Sequence, residues 1–174
     1  MQTTTFYSSP LGSILLVADD EGVTGLWFEG QKYEARGLDP RAVRGSTPIL
    51  DEACRWLDAY FAGRRPKTLP PLHLTGTAFQ RSVWDMMRQI PYGCTATYGE
   101  LACGLGGSKG TMARAVGSAV GRNPVSVLVP CHRVVGAGGD LTGYAGGIER
   151  KIALLTLEGV DLARLHLPRG TSAH

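Results

Sequence analysis

Over the first thirty residues, strand-like runs alternate with turn residues. Thr3–Tyr7 leads into the turn Ser9-Pro10-Leu11-Gly12, and the apolar run Ser13–Ala18 is broken by Asp19-Asp20-Glu21-Gly22 before Val23–Phe28. This alternation predicts a small antiparallel meander. Residues 30–47 carry no clear period and are expected to form a loop. From Ile49 to Phe61 the pattern becomes helical, with Ile49, Ala53, Trp56, Leu57, Tyr60 and Phe61 on one face, and Gly63 ends it. Arg64–Pro71, with three prolines, reads as a linker, so a domain boundary is expected near residue 76. The two domains would be 1–75 and 76–174.

Three helices are expected next. Thr77-Ala78-Phe79-Gln80 fits a capping box, in which side chains three residues apart satisfy each other's backbone N–H groups. Phe79, Val83, Met87 and Ile90 then form an apolar stripe that Pro91-Tyr92-Gly93 stops. Thr97-Tyr98-Gly99-Glu100 is a second capping box, opening a short helix that breaks at Gly104–Gly107. Ser108 or Thr111 can cap a third helix over roughly 112–120, with Ala113, Val116, Gly117 and Val120 inward and Arg114 and Ser118 outward. The last two helices and their glycine-rich turn fit a helix-turn-helix and a plain helical hairpin equally well.

Val125–Val129 is wholly apolar and predicts a short buried strand. Pro130-Cys131-His132-Arg133 follows it directly. Gly136–Gly147 holds six glycines in twelve residues and is expected to be irregular. A last helix is expected over 149–157, ending at Glu158-Gly159, with a poorly ordered tail from Leu162. The fold class is therefore α/β (α+β): a small N-terminal antiparallel sheet with one helix, then a mostly helical C-terminal domain.

Charge bears on the partner. Residues 1–76 carry eight basic and nine acidic side chains, net −1, and residues 77–174 carry ten and six, net +4. A polyanion-binding surface would belong to the second half. No stretch approaches the ~20 apolar residues of a membrane span, and the N-terminus has no signal-peptide pattern. The four cysteines, Cys54, Cys94, Cys103 and Cys131, form no CxxC pair. They read as thiols in a reducing cytoplasm rather than as a disulfide framework. The four histidines have no recognised metal-ligand spacing, and no phosphate-binding P-loop is present.

Cys131-His132-Arg133 carries the chemistry. A thiol is a strong nucleophile only as thiolate, a form that a neighbouring imidazolium or guanidinium stabilises. A turn after Pro130 would bring Cys131 and His132 to one site. A Cys-His pair alone is more often a buried cysteine beside a satisfied histidine. Glu158 weighs against that, because a carboxylate at a helix C-terminus costs roughly 0.3–1 kcal/mol against the helix dipole. A compensating gain would come from orienting His132 in a Cys–His–Glu relay. A solvated surface glutamate remains the commoner reading of such spacing. Asn123, just before Pro124, could lock the turn between the third helix and the nucleophile; an ordinary loop asparagine is commoner.

Val129-Pro130-Cys131-His132-Arg133-Val134-Val135 resembles the active-site signature of the O6-alkylguanine-DNA alkyltransferases, the methylated-DNA–protein-cysteine methyltransferases. So do Gly76–Trp84, Ile90-Pro91-Tyr92-Gly93, 97–102, Arg114-Ala115-Val116-Gly117, Arg122-Asn123-Pro124 and 141–147, in order and spacing. The resemblance is nearly continuous from 76 to 159 and loose before that. It implies a DNA-repair protein that moves an alkyl group from O6 of guanine, and from O4 of thymine, irreversibly onto Cys131, once per chain.

The resemblance also implies roles. Cys131 would be the acceptor and His132 its base, through a water; Glu158 would orient His132 and Asn123 would brace the site. Tyr98 and Tyr144 would lie at the base, with Tyr98 helping to rotate the nucleotide. The carbonyls of Cys131 and Val134 and the amide of Ala145 would read the guanine edge. The C-terminal domain would contain a helix-turn-helix bound in the DNA minor groove, where Arg114 would fill the space left by the flipped base and Ala113, Gly117 and Ser118 would allow the close approach. The partner would be double-stranded DNA bound by a monomer, with cooperativity left open, no cofactor and no membrane.

Some relatives hold a structural zinc through N-terminal Cys and His. No Cys precedes Cys54, so no such site is expected. The Gly104–Gly110 stretch is longer than usual in the family, and Ser126 and Thr142 stand near the alkyl pocket where some relatives have Pro or Gly. Two other classes compete. A cysteine hydrolase would use the same relay but leaves the adjoining helices unexplained. Non-catalytic sensors of alkylated DNA lack the acceptor cysteine that is present here.

Overall fold

The computed structural model describes residues 1–107 and 109–167, without the side chains of Lys109 and Thr111. The chain divides into two compact units. The first comprises Met1–Gly76 with Pro124–Leu128; the second comprises Thr77–Asn123 and the chain from Val129 onward.

In the first unit, β1 (Thr3–Ser9), β2 (Gly12–Ala18) and β3 (Val23–Phe28) form the expected antiparallel meander. The expected loop over 30–47 contains one further element, β4 (Val43–Arg44), which pairs parallel to β1 and completes the order β3-β2-β1-β4. Two residues are too few for any periodicity to show. Helix α1 (Pro48–Phe61) starts on Thr47, whose side chain accepts from the Leu50 amide, with Pro48 in the first turn where its missing N–H costs nothing. It packs on β1, β2 and β3 and buries Leu50, Ala53, Leu57 and Tyr60, while Ile14, Leu16, Leu26 and Phe28 of the sheet are also fully buried. Each buried Leu, Ile or Phe side chain among these contributes about 1.5–3 kcal/mol.

The strand expected over Val125–Val129 is not formed. Only Val125 bridges, to Leu26; the Leu26 amide donates to the Pro124 carbonyl at 2.8 Å and the Ser126 amide to the Leu26 carbonyl at 3.1 Å. The rest is a buried turn, with Val127 at φ +69°. An apolar run signals burial, but this one covers the open edge of β3 with a single bridge instead of a ladder. A second bridge, Val23 to Leu72, covers the other end of that edge.

In the second unit, α2 (Ala78–Arg88) and α3 (Tyr98–Gly104) both begin with complete capping boxes, Thr77 with Gln80 and Thr97 with Glu100. The inward face of α2 is Val83, Trp84 and Met87, with Phe79 only half-buried. Trp84 was not on the expected stripe; its indole donates to the Ala119 carbonyl at 2.8 Å. Helix α4 (Lys109–Gly121) starts earlier than expected, which puts Thr111 inside the helix; Ser108 lies outside the described residues. Its buried stripe is Val116, Ala119 and Val120, while Ala113 and Gly117 are half-buried. Helices α3 and α4 pack on each other and α2 packs on both.

Two short strands, β5 (Ala96–Thr97) and β6 (Val134–Val135), pair in parallel and were not expected. Helix α5 (Ile148–Leu157) follows the glycine-rich stretch. The expected disorder from Leu162 does not hold for the described part. Residues 162–164 form a 3-10 turn capped by Asp161, and His166 bridges to Asp140. Leu162 and Leu165 pack with Val135, Leu141 and Leu155, and that apolar contact is what orders the segment. Residues 168–174 lie outside the described residues.

Candidate functional site

Cys131, His132 and Arg133 form one 3-10 turn between Pro130 and β6, against which α5 packs. The turn puts two side chains that would oppose each other on a strand into one buried locus: Cys131 is 5% exposed and His132 fully buried. The register of β5 on β6, Ala96 opposite Val134, brings the start of α3 and hence Tyr98 beside this turn.

Glu158 is the residue at the C-terminal end of α5 and its side chain is fully buried. His132 Nε2 lies 2.5 Å from Glu158 Oε2, and Arg133 Nε donates to Glu158 Oε1 at 2.6 Å. The Gly93 amide adds a 3.4 Å contact to Oε1. Gly93 has φ +79°, and a Cβ there would stand 3.1 Å from the Glu158 carbonyl, so the residue type is set by this approach. Burial alone would raise the Glu158 carboxyl, but the bond from His132 and the Arg133 guanidinium reverse this and hold it at about 2. Burial, opposing the bond to Glu158, pushes His132 below its usual value.

An ionised Glu158 can only accept, so His132 Nε2 carries the proton and donates. In the neutral ring Nδ1 then holds a lone pair, and Nδ1 is buried without a hydrogen-bond partner among the described residues. A neutral imidazole held in this way can act chemically as a general base through Nδ1.

The Asn123 side-chain amide donates to the Val129 carbonyl at 2.8 Å, closing the excursion of residues 124–128. Tyr98 is half-buried, its phenol bonded to the Thr142 side chain; burial raises its phenol and the nearby Cys131 adds to this. Tyr144 is buried and Ala145 half-buried on the 140–147 loop. Gly146 admits the Tyr144 ring, since a Cβ there would come within 2.6 Å of it. Ser126, buried with its hydroxyl unpartnered among the described residues, belongs to the first unit. On α4, Arg114 and Ser118 are exposed, and Gly117 lies near the Tyr98 ring, 3.9 Å from the position a Cβ would take.

Sequence reasoning missed two participants. Arg133 was a possible thiolate partner, but the structure puts its guanidinium on Glu158 and on the Ile90 carbonyl, 2.7 Å from Nη1. Lys151 was not singled out. It is fully buried on α5, and its ammonium donates to the carbonyls of Val134 at 2.6 Å and Thr142 at 2.9 Å. Burial lowers it to about 8, opposed by the nearby Cys131. The signal was present: Lys151 falls on the stripe Ile148, Ile152, Leu155, where a lysine is out of place unless paired.

The Val134 carbonyl thus already accepts from Lys151, and the Cys131 carbonyl accepts from the Val134 amide. Among the described residues no group of three or more His, Cys, Asp or Glu could hold a metal, and no helix is long and apolar enough to cross a membrane.

Residues 78–160 match the family model of the 6-O-methylguanine DNA methyltransferase DNA-binding domain, and residues 3–74 match that of the ribonuclease-like domain of the same proteins. The chain is 46% identical to a methylated-DNA–protein-cysteine methyltransferase of Methanosarcina acetivorans over 88% of this chain and 96% of the relative. It is also 46% identical to one of Mycobacterium tuberculosis, over 86% and 88%. Among solved structures it is similar to the Mycobacterium tuberculosis O6-methylguanine methyltransferase, with TM-score 0.80 and 42% identity over 91% of this chain and 93% of that one. It is similar, too, to an OGT of that organism in complex with DNA, with TM-score 0.79 and 40% identity over 94% of each chain.

Proposed function

The chain belongs to the 6-O-methylguanine DNA methyltransferase family, and from that membership we propose that it is a methylated-DNA–protein-cysteine methyltransferase with Cys131 as acceptor. The observation that carries the assignment of residues is the buried Cys131 adjoining a His132–Glu158 pair whose Nδ1 is unpartnered among the described residues.

His132 Nδ1 takes the thiol proton, directly or through a water, while Glu158 holds the ring and supports its charge. The thiolate sulfur attacks the alkyl carbon on guanine O6. The S–C bond forms as the C–O6 bond breaks, and the electron pair leaves on the guanine, which then takes up a proton. The thioether has no route back, so each chain acts once. O4-alkylthymine presents the same alkyl–oxygen bond and is a second substrate.

DNA is bound through α4, whose Arg114 and Ser118 are exposed. Ala113 and Gly117 keep that helix slim for the minor groove, and Arg114 occupies the stack once the target nucleotide turns out. Tyr98, Tyr144, the Ala145 amide and the carbonyls of Cys131 and Val134 hold the base. Asn123 braces the turn. The chain acts as a monomer in the cytoplasm, where its thiols stay reduced.

The test is intact mass after incubation with duplex DNA carrying O6-methylguanine. One added methyl group per chain, mapped to Cys131 and absent in Cys131→Ala, is expected. Repeated turnover, or transfer to Cys54, Cys94 or Cys103, refutes the reading.

A further inference from the structure

The residue after the relay histidine is placed to govern it. The Arg133 side chain is 11% exposed and makes three contacts within the second unit. Nε donates to Glu158 Oε1 at 2.6 Å, Nη1 donates to the Ile90 carbonyl at 2.7 Å, and the guanidinium lies over the Tyr92 ring at 5.7 Å. Tyr92 is itself tied to α5 by its hydroxyl, which donates to the Leu157 carbonyl at 3.3 Å. The Ile90–Gly93 turn therefore fixes the guanidinium from two sides, and the guanidinium fixes one carboxylate oxygen of Glu158. The other oxygen is left to His132.

We propose that Arg133 is a positioning residue for alkyl transfer, holding Glu158 against His132 and sharing its negative charge so that the imidazole stays a neutral base. The proposal rests on the relay described above. The physical reason is a charge balance in a buried site. A carboxylate alone against a buried imidazole favours the imidazolium, which cannot take a proton from a thiol. A carboxylate already neutralised by a guanidinium makes an imidazolium the unbalanced species. The charged groups bearing on His132 are Glu158, which favours its protonation, and Arg133 and Lys151, which oppose it. Of the two cations, Lys151 donates to backbone carbonyls and Arg133 to the carboxylate itself. Arg133 is thus the one that acts through Glu158. Its fork is matched to two acceptors at once, a geometry an ammonium cannot reproduce.

The test compares wild type, Arg133→Gln and Arg133→Lys by single-turnover transfer from methylated duplex DNA between about pH 5 and 9. The same proteins, carrying ring-labelled histidine, are titrated by NMR, with His132→Asn assigning the resonance. Removing the guanidinium should raise the His132 titration and the acid limb of the rate profile together by about one pH unit, slowing transfer about tenfold on the acid side. Arg133→Lys keeps the charge and should shift the limb less, while lowering the plateau because one ammonium cannot serve both Glu158 and Ile90. A resonance that titrates identically in wild type and in both variants overturns the proposal. A lower plateau with an unmoved limb does so too, since a purely structural arginine would give that result. If Arg133→Gln does not fold, Arg133→Lys decides, because its His132 titration must still rise. Failure of the relay reading looks different: His132→Asn would then transfer at the wild-type rate, while the NMR titration still judges Arg133.

Discussion

Asn123 and Cys131 meet on one atom. The carbonyl oxygen of Val129 accepts from the Asn123 side-chain amide and from the Cys131 backbone N–H, each at 2.8 Å. Asn123 lies two residues beyond the end of α4, with its own amide bonded to the Val120 carbonyl. The helix proposed to bind DNA and the nucleophile therefore share a single acceptor. Asn123→Ala removes one donor and should cost about 1–3 kcal/mol, lowering Tm by about 2–4 °C per kcal/mol for a chain of this size. Asn123→Asp is nearly isosteric but sets a second oxygen against the Val129 carbonyl, so it should destabilise more than alanine does. Thermal unfolding of the two variants checks this; an aspartate variant as stable as the alanine one contradicts the donor role.

Acid should unfold the protein through the relay pair. Glu158 sits at about 2 in the folded chain against an ordinary 4.5, so its contribution is complete above pH 4.5 and is lost as pH falls from there toward 2. At full strength that contribution is on the order of 3 kcal/mol. His132 acts in the same direction and starts earlier. Its folded value is lowered, so below its ordinary 6.5 the unfolded chain takes up a proton that the folded chain resists. Stability should thus begin to fall below about pH 6.5 and fall faster below 4.5. In Glu158→Gln the second, steeper part should vanish, as read by denaturant midpoints across this range.

How much was legible follows from the range over which each feature is decided. The capping boxes at Thr77 and Thr97 are settled within four residues and were read correctly, as was the meander, whose alternation is local. Glu158 stood out because it breaks a helix-end preference. The turn at 125–128 was taken for a strand because composition reports burial and not φ, and a β-branched Val127 in the left-handed region is decided by tertiary context. The pairing of Ala96–Thr97 with Val134–Val135 spans far more chain than any period and has only two residues a side. Lys151 was visible as a cation on an apolar stripe, but its partners are backbone carbonyls, which have no sequence signature.

Arg114 should matter more in duplex DNA than with a free base. It is exposed on α4, away from the buried relay, and its proposed task is to hold the extruded state. Arg114→Ala should slow transfer from methylated duplex by about tenfold or more, the effect of losing one bond to a charged group. Transfer from free O6-alkylguanine should be nearly unchanged. Equal losses on both substrates contradict the role. Wild-type affinity should also fall as salt rises, because phosphate contacts release counterions.

Lys151→Met tests the buried ammonium. The substitution leaves the Val134 and Thr142 carbonyls without this donor, at about 1–3 kcal/mol each. It also removes the cost of burying a charge, visible in the lowering of Lys151 to about 8. The two effects oppose, so the net loss of stability should stay below about 3 kcal/mol. The local effect should be larger: without the bond to Thr142 the 140–147 loop opens more often, and its amides should exchange faster with solvent. Global unfolding and loop exchange that change in step contradict this assignment.

Alkylation of Cys131 should loosen both the protein and its hold on DNA. The thiol is 5% exposed, in a turn that packs against α5, so an added alkyl group must displace neighbours. Overpacking of this kind costs about 1–3 kcal/mol, equivalent to a drop in Tm of about 2–4 °C per kcal/mol. Relief comes most readily by shifting the Cys131 backbone, and that backbone shares the Val129 carbonyl with Asn123. Strain at the acceptor is passed to the end of α4, which weakens the DNA-binding helix after repair. A larger group should act more strongly, so benzylated protein should melt below methylated protein and release DNA faster. In Asn123→Ala the link is cut, and alkylation should still lower Tm but no longer change DNA affinity. Unmodified and fully methylated chains with the same melting curve and the same affinity for DNA would mean that the pocket accepts the group without strain and that the coupling through Val129 is absent.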